Sequence, residues 1–312
     1  MHIDVLGLIG AAAGGFLGAT FGALVAFVFT GFAVVLGIAA LIGSGDPAFL
    51  NSIAFGSFFG PHISFAAGIA AVAYAYRRGY IESGRDIVTP LTSLSKPDVL
   101  LVGALFGLFG YLFQQVILII PGFGTVIDSV AITVVASALL ARLLFGRSGI
   151  IGKHVDGATG WKRFTPSAQH AWLAYQQSPS MALLLGLFVG GMSAWSSVTL
   201  LRAYPDTPGV IYLGFGISAI SLLFLAFGVQ VPATHHITLV SAVFVGAFIG
   251  SVGGGDAVVV ILGALFGAIT GLVGELFSRF WLIRGDTHID PPASAIWPLT
   301  TIVVGAAAVL TS

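Results

Sequence analysis

The stretch Val5–Gly43, VLGLIGAAAGGFLGATFGALVAFVFTGFAVVLGIAALIG, runs for 39 residues without a charge. As one α-helix it would be about 58 Å long at 1.5 Å per residue, nearly twice the roughly 30 Å of hydrocarbon in a bilayer. It therefore reads as two membrane spans joined by a tight turn. Residues 1–4 carry no basic cluster and the apolar run exceeds a signal-peptide core of about 7 to 15 residues, so the first span is expected to be retained.

The rest of the chain has the same character. Apolar residues make up 57% and charged residues 8%, with a mean hydropathy of +1.04. Soluble domains carry about a quarter charged residues, so this is an all-α polytopic membrane protein with the lipid bilayer as its first partner. A net charge of zero gives no reason to expect a nucleic-acid partner, and the absence of cysteine excludes disulfides and thiolate metal sites.

Charged and Pro/Gly breaks place about ten spans, near 5–24, 26–43, 60–76, 98–120, 126–145, 180–201, 209–229, 233–252, 257–280 and 289–311. Segment 47–59 is too short to cross and fits a re-entrant half-helix, which membranes accept only where protein or a wet cavity covers its ends. Glycines at 10, 14, 18 and 22, and at 263, 267 and 271, recur every four residues. Such ridges let helix backbones approach closely where lipid supplies no hydrophobic force between helices.

Three short runs recur in the same order. His62-Ile-Ser-Phe-Ala-Ala-Gly-Ile aligns with His236-Ile-Thr-Leu-Val-Ser-Ala-Val, Gly103-Ala-Leu-Phe-Gly107 with Gly263-Ala-Leu-Phe-Gly267, and Thr125-Val-Ile-Asp128 with Thr287-His-Ile-Asp290. The offsets are 174, 160 and 162 residues, which points to a duplicated five-helix unit, 1–145 and 180–312.

Loops 77–97, 142–179 and 279–285 together hold eleven of the twelve Lys and Arg residues, leaving only Arg202 on the other side. The positive-inside rule makes these loops cytoplasmic and both termini external, in a plasma (inner) membrane. The span with His62 then runs inward and the span with His236 outward, so the halves are inverted repeats. The connection 146–179 is a cytoplasmic linker. Within it Thr165-Pro166, followed by Trp172 and Tyr175, predicts a short interfacial helix over 165–175.

Ionisable side chains inside a membrane are expensive and read by default as lining a site or pathway. His62 and Ser64, and His236 and Thr238, pair an imidazole with a hydroxyl at the heads of two equivalent spans. Imidazole suits proton relay near neutral pH, and the bland alternative is a pair of headgroup-level histidines. His235 reads as a neighbour facing the interface. Asp128 and Asp290 each open the last span of their half, where a carboxylate also serves simply as a helix-end residue. They are candidates for solute binding or for the two mouths of a pathway.

Glu275 precedes Arg279 by one helical turn and is a candidate proton carrier beside its ordinary ion-pair role. In an extended chain Asp286, His288 and Asp290 project to one side and offer ligands for a divalent metal, although the first repeat lacks two of the three. The run Gly149–His154 resembles a phosphate loop, but Arg147 stands where the first glycine belongs and His154 replaces the magnesium-binding hydroxyl. Serine-hydrolase and zinc-protease motifs are absent, so an enzyme is not expected and no cofactor is implied.

The expectation is a transporter moving a small solute or ion through a midplane site between inverted repeats, with the histidines available for proton coupling. A passive channel for a small solute and a metal-dependent intramembrane site at 286–290 are the alternatives. The composition is compatible with a homo-oligomer.

Overall fold

The computed structural model describes residues 3–153 and 157–310; His154 lies outside the described residues. Among them stand ten α-helices of 14 residues or more: α1 Val5–Phe21, α2 Ala23–Ser44, α3 Ser64–Arg77, α4 Pro97–Leu118, α5 Ser129–Phe145, α6 Pro179–Ala203, α7 Leu213–Ala226, α8 His235–Phe248, α9 Asp256–Phe277 and α10 Pro291–Leu310.

Six helical segments are long and apolar enough to cross a membrane: Ala23–Ser44, Pro97–Leu118, Pro179–Ala203, Pro208–Ala226, Asp256–Leu282 and Pro291–Leu310. The other four expected spans are shorter. Helices α1 and α5 have 17 residues, and α3 and α8 have 14. Irregular chain precedes α3 and α8, so part of each expected span is not wound into helix. Both are buried along nearly their whole length, whereas large apolar side chains of the flanking helices, among them Leu105, Phe188, Met192 and Leu276, face outward. That outward apolar surface is what hydrocarbon requires, and the chain is membrane-embedded.

The turn inside Val5–Gly43 is the single residue Gly22, at φ +88°, a conformation that costs glycine little because it has no Cβ. The chain reverses there. Gly14 and Gly18 of α1 lie against Ser57 and Ser64 in ascending order. In α2, Ala23, Phe27 and Thr30 meet Gly68, Phe65 and Phe59 in descending order.

The glycine ridges are the contact surfaces of two antiparallel pairs. A Cβ on Gly15 of α1 would stand 2.7 Å from the Gly107 Cα of α4, and one on Gly190 of α6 would stand 2.8 Å from the Gly267 Cα of α9. In the first half α3 packs on α1, α4 and α5; in the second half α8 packs on α6, α9 and α10. Across the halves α2 packs on α7 and α5 on α10. The first of these contacts is antiparallel, with Gly31 beside Ala219 and Leu41 beside Gly209.

Segment 47–59 holds a short helical piece over 48–54, π-helical at Leu50–Ala54 and seated on Gly37 of α2, and Gly56, Gly60 and Pro61 keep the chain in turns up to α3. One local expectation is corrected. The linker holds a 3₁₀ turn at Gly160–Phe164 and no α-helix among its described residues. The carbonyl of Thr165, which would accept the first bond of a helix there, accepts instead from the Arg284 guanidinium (2.9 Å), and Ser167 and His170 close a turn on each other.

Gly107→Val or Gly267→Val drives a side chain into the facing backbone. Each is expected to lower stability by about 1–3 kcal/mol, the usual cost of overpacking. The readout is a lower unfolding midpoint in detergent, against no loss for Gly43→Ala, whose added Cβ meets no atom within 4 Å.

Candidate functional site

A cavity of about 400 Å³ lies between the two halves, walled by α2, α3 and α5 on one side and α7, α8 and α10 on the other. Positions separated by the repeat offsets line it together. Pro61 and His235 are 174 residues apart, as are Phe65 and Leu239; Asp128 and Asp290 are 162 apart, as are Val134 and Ile296. Exposed Asn51 and Thr125 mark its rim, and along α10 it extends from Asp290 to Val304, about 21 Å of helix.

Both aspartates are helix caps. Asp128 accepts from the Ala131 amide (2.8 Å) and Asp290 Oδ2 from the Ala293 amide (2.7 Å), each satisfying an orphan donor of the first turn. Asp290 Oδ1 also faces His288 Nε2 at 3.3 Å, with both side chains buried. A carboxylate has about four acceptor sites, so capping leaves capacity toward the cavity.

His235 opens α8. Its ring packs 4.7 Å from Phe27 and 6.2 Å from Phe215, is 6% exposed, and has no hydrogen-bond partner at Nδ1. Phe55 and Tyr212 continue the aromatic wall. Among the described residues no Lys or Arg lines the cavity.

Of the six residues expected to bind solute, Asp128 and Asp290 line this cavity, while His62, Ser64, His236 and Thr238 do not. The His62 ring sits against Gly60, with Gln114 of α4 as a hydrogen-bond partner. The His236 ring fills the space beside Gly274 of α9 and lies 6.2 Å from Trp172. Ser64 is fully buried against Gly18 of α1, and Thr238 Oγ1 donates back to the His235 carbonyl (3.1 Å). Glu275 is buried beside Gln176 and Ser278, also outside the cavity. His235 was missed because the repeat alignment pairs His62 with His236. The signal for it is helical register, since 235, 239 and 243 share the face that lines the cavity.

Beyond Asp290 the chain leaves the helix after the π-helical turn Ser278–Leu282, and arginines take up carbonyls within residues 281–287. Buried Arg142 donates from Nε to Thr287 Oγ1 (2.9 Å), from Nη1 to the carbonyls of Ile150 (2.8 Å) and Trp281 (2.5 Å), and from Nη2 to the Thr287 carbonyl. Arg85 reaches the carbonyls of Leu282 and Ile283 (3.3 Å each), and burial lowers its pKa from the ordinary arginine value. Asp286 is consumed by the Arg147 amide (2.5 Å) and Ser148 Oγ (2.6 Å) and turns toward a separate basic pocket. It is thereby parted from His288 and Asp290, and no three His, Asp or Glu residues among those described are grouped to hold a metal.

These features define a membrane-embedded helical protein with a cavity between its halves. A family of unknown function (DUF7973) matches the chain twice, over residues 1–170 and 153–311, and the chain belongs to that family. No curated protein and no solved structure matches it.

Arg142→Ala leaves four acceptors without their donor. It is expected to cost more than about 2 kcal/mol, since each unsatisfied buried group costs roughly 1–3 kcal/mol. Arg142→Lys restores only part of the loss because an ammonium does not reproduce the planar fork. Unfolding midpoints in detergent check both.

Proposed function

We propose that the chain is a membrane transporter in which two inverted five-helix halves move a small solute through the cavity between them. The observation that carries this reading is the pairing of equivalent residues across one cavity between the halves, and in this reading the Asp290 end is the sealed one. Three further features support it: the tandem family match and the like packing of α1–α5 and of α6–α10 support the duplication, and the antiparallel contact of the equivalent helices α2 and α7 supports the inversion.

In this reading the basic loops are cytoplasmic, both termini are external, and the sealed end faces the cytoplasm of a plasma (inner) membrane. Segment 281–290 corresponds to 119–128, where Ile119, Ile120 and Phe123 are exposed. Rocking of one half against the other exchanges these arrangements, tightening 119–128 while the contacts of Arg142 and Arg85 release. His235, with the Asp290–His288 pair beside it, is the group through which a proton is coupled.

The test is counterflow in liposomes containing the purified full chain, with a panel of labelled small acids, amines, neutral solutes and cations. A carrier exchanges external label against excess internal unlabelled solute, and His235→Ala is expected to slow that exchange at least tenfold while the protein stays folded. Absence of exchange for every solute, or exchange unaffected by His235→Ala, contradicts the proposal.

A further inference from the structure

Resting on the transporter reading, we infer that the solute is a small organic cation, an ammonium bearing an apolar group, held between Asp290, His235 and the aromatic wall. Two carboxylates line the cavity, and among the described residues no Lys or Arg does. His288 and the helix-end amides meet part of the acceptor capacity of Asp290, and a cationic solute supplies the counter-charge that buried carboxylates call for.

The wall selects among cations. Phe27, Phe65 and Phe215 form a continuous aromatic surface around His235, with ring centroids 4.7–6.2 Å apart where they meet. An ammonium is attracted to an aromatic face within about 6 Å, and its apolar substituent gains from the same surface. A bare alkali ion needs several converging oxygens, whereas the carboxylates in the cavity wall are two, each already capping a helix.

His235 lines the cavity, is nine-tenths buried and has an unpartnered, buried Nδ1, an independent sign of a missing ligand group. Buried polar atoms ordinarily have partners. An ammonium N–H donated to Nδ1 supplies one, while the free sites of Asp290 accept others.

The experiment measures binding of 2-phenylethylammonium to the full chain in detergent by calorimetry and thermal shift. Comparison arms are neutral 2-phenylethanol, anionic 3-phenylpropanoate, and sodium or potassium alone. The ammonium is expected to bind saturably, with both organic isosteres at least tenfold weaker and the alkali ions not competing. Asparagine caps helices nearly as well as aspartate, so Asp290→Asn and Asp128→Asn should fold and weaken ammonium binding, the former tenfold or more. Asp256→Asn, at the exposed ion pair with Arg202, should leave it unchanged.

Equal or tighter binding of an isostere, no binding of the ammonium, displacement by alkali ions, or wild-type affinity in Asp290→Asn overturns the inference. If a neutral or anionic solute exchanges in liposomes and no ammonium does, the cation assignment fails and transport stands. If the ammonium binds in an Asp290-dependent way but nothing crosses, transport fails and the cation site stands.

Discussion

Backbone carbonyls that leave a helix inside a membrane protein must find donors within the protein, because hydrocarbon offers none. Residues 281–288 meet that constraint with arginine. A single buried guanidinium, Arg142, ties the end of α5 to Ile150, Trp281 and Thr287, and Arg85 and Arg284 extend the network to the 78–96 loop and the linker. The same network fixes Thr287 beside Gly84, three residues before Asp290, and so helps to set the position of Asp290 in the cavity wall. The placement of that carboxylate is therefore a consequence of hydrogen-bond satisfaction as much as of packing.

The glycine ridges supply the complementary condition. Pairing α1 with α4 and α6 with α9 at backbone contact leaves α3 and α8 enclosed by their own halves, with little apolar surface to offer lipid. Two short buried helices whose heads carry His62 and His235–His236 then bring polar groups into the interior. The repeat distributes them unequally: the position that is Pro61 in one half is His235 in the other, so one wall of the cavity has an imidazole where the opposite wall has a ring without a donor.

Much of the architecture was legible in the sequence because hydrocarbon thickness and charged breaks bound each span. The helix boundaries fall within a few residues of those expected, and Gly22 is the turn that the length of Val5–Gly43 demanded. The site was only half legible. Asp128 and Asp290 stood out as paired helix openers, and the structure finds them as caps that also line one cavity. His62 and His236 stood out equally, yet a repeat identifies equivalent positions without saying which way they face. Both point into helix contacts, and His235, one residue and about 100° of helix away, meets the cavity. The arginine network was illegible because its contacts to residues 281–287 join positions more than a hundred apart, chiefly through backbone carbonyls, which leave no trace in residue type. The linker helix over 165–175 failed for the same reason, since Arg284 takes its first acceptor.

The central claim is that inverted halves enclose a cavity open to one side of the membrane. The natural chain has no cysteine, so single cysteines report sidedness without background. Membrane-impermeant thiol reagents applied to Ser129→Cys in the cavity wall and Glu82→Cys in the exposed basic loop test the claim most directly. Ser129→Cys is expected to react only from the face bearing the termini, and Glu82→Cys only from the opposite face. Reaction of both from the same face, or of Ser129→Cys from neither, would contradict it.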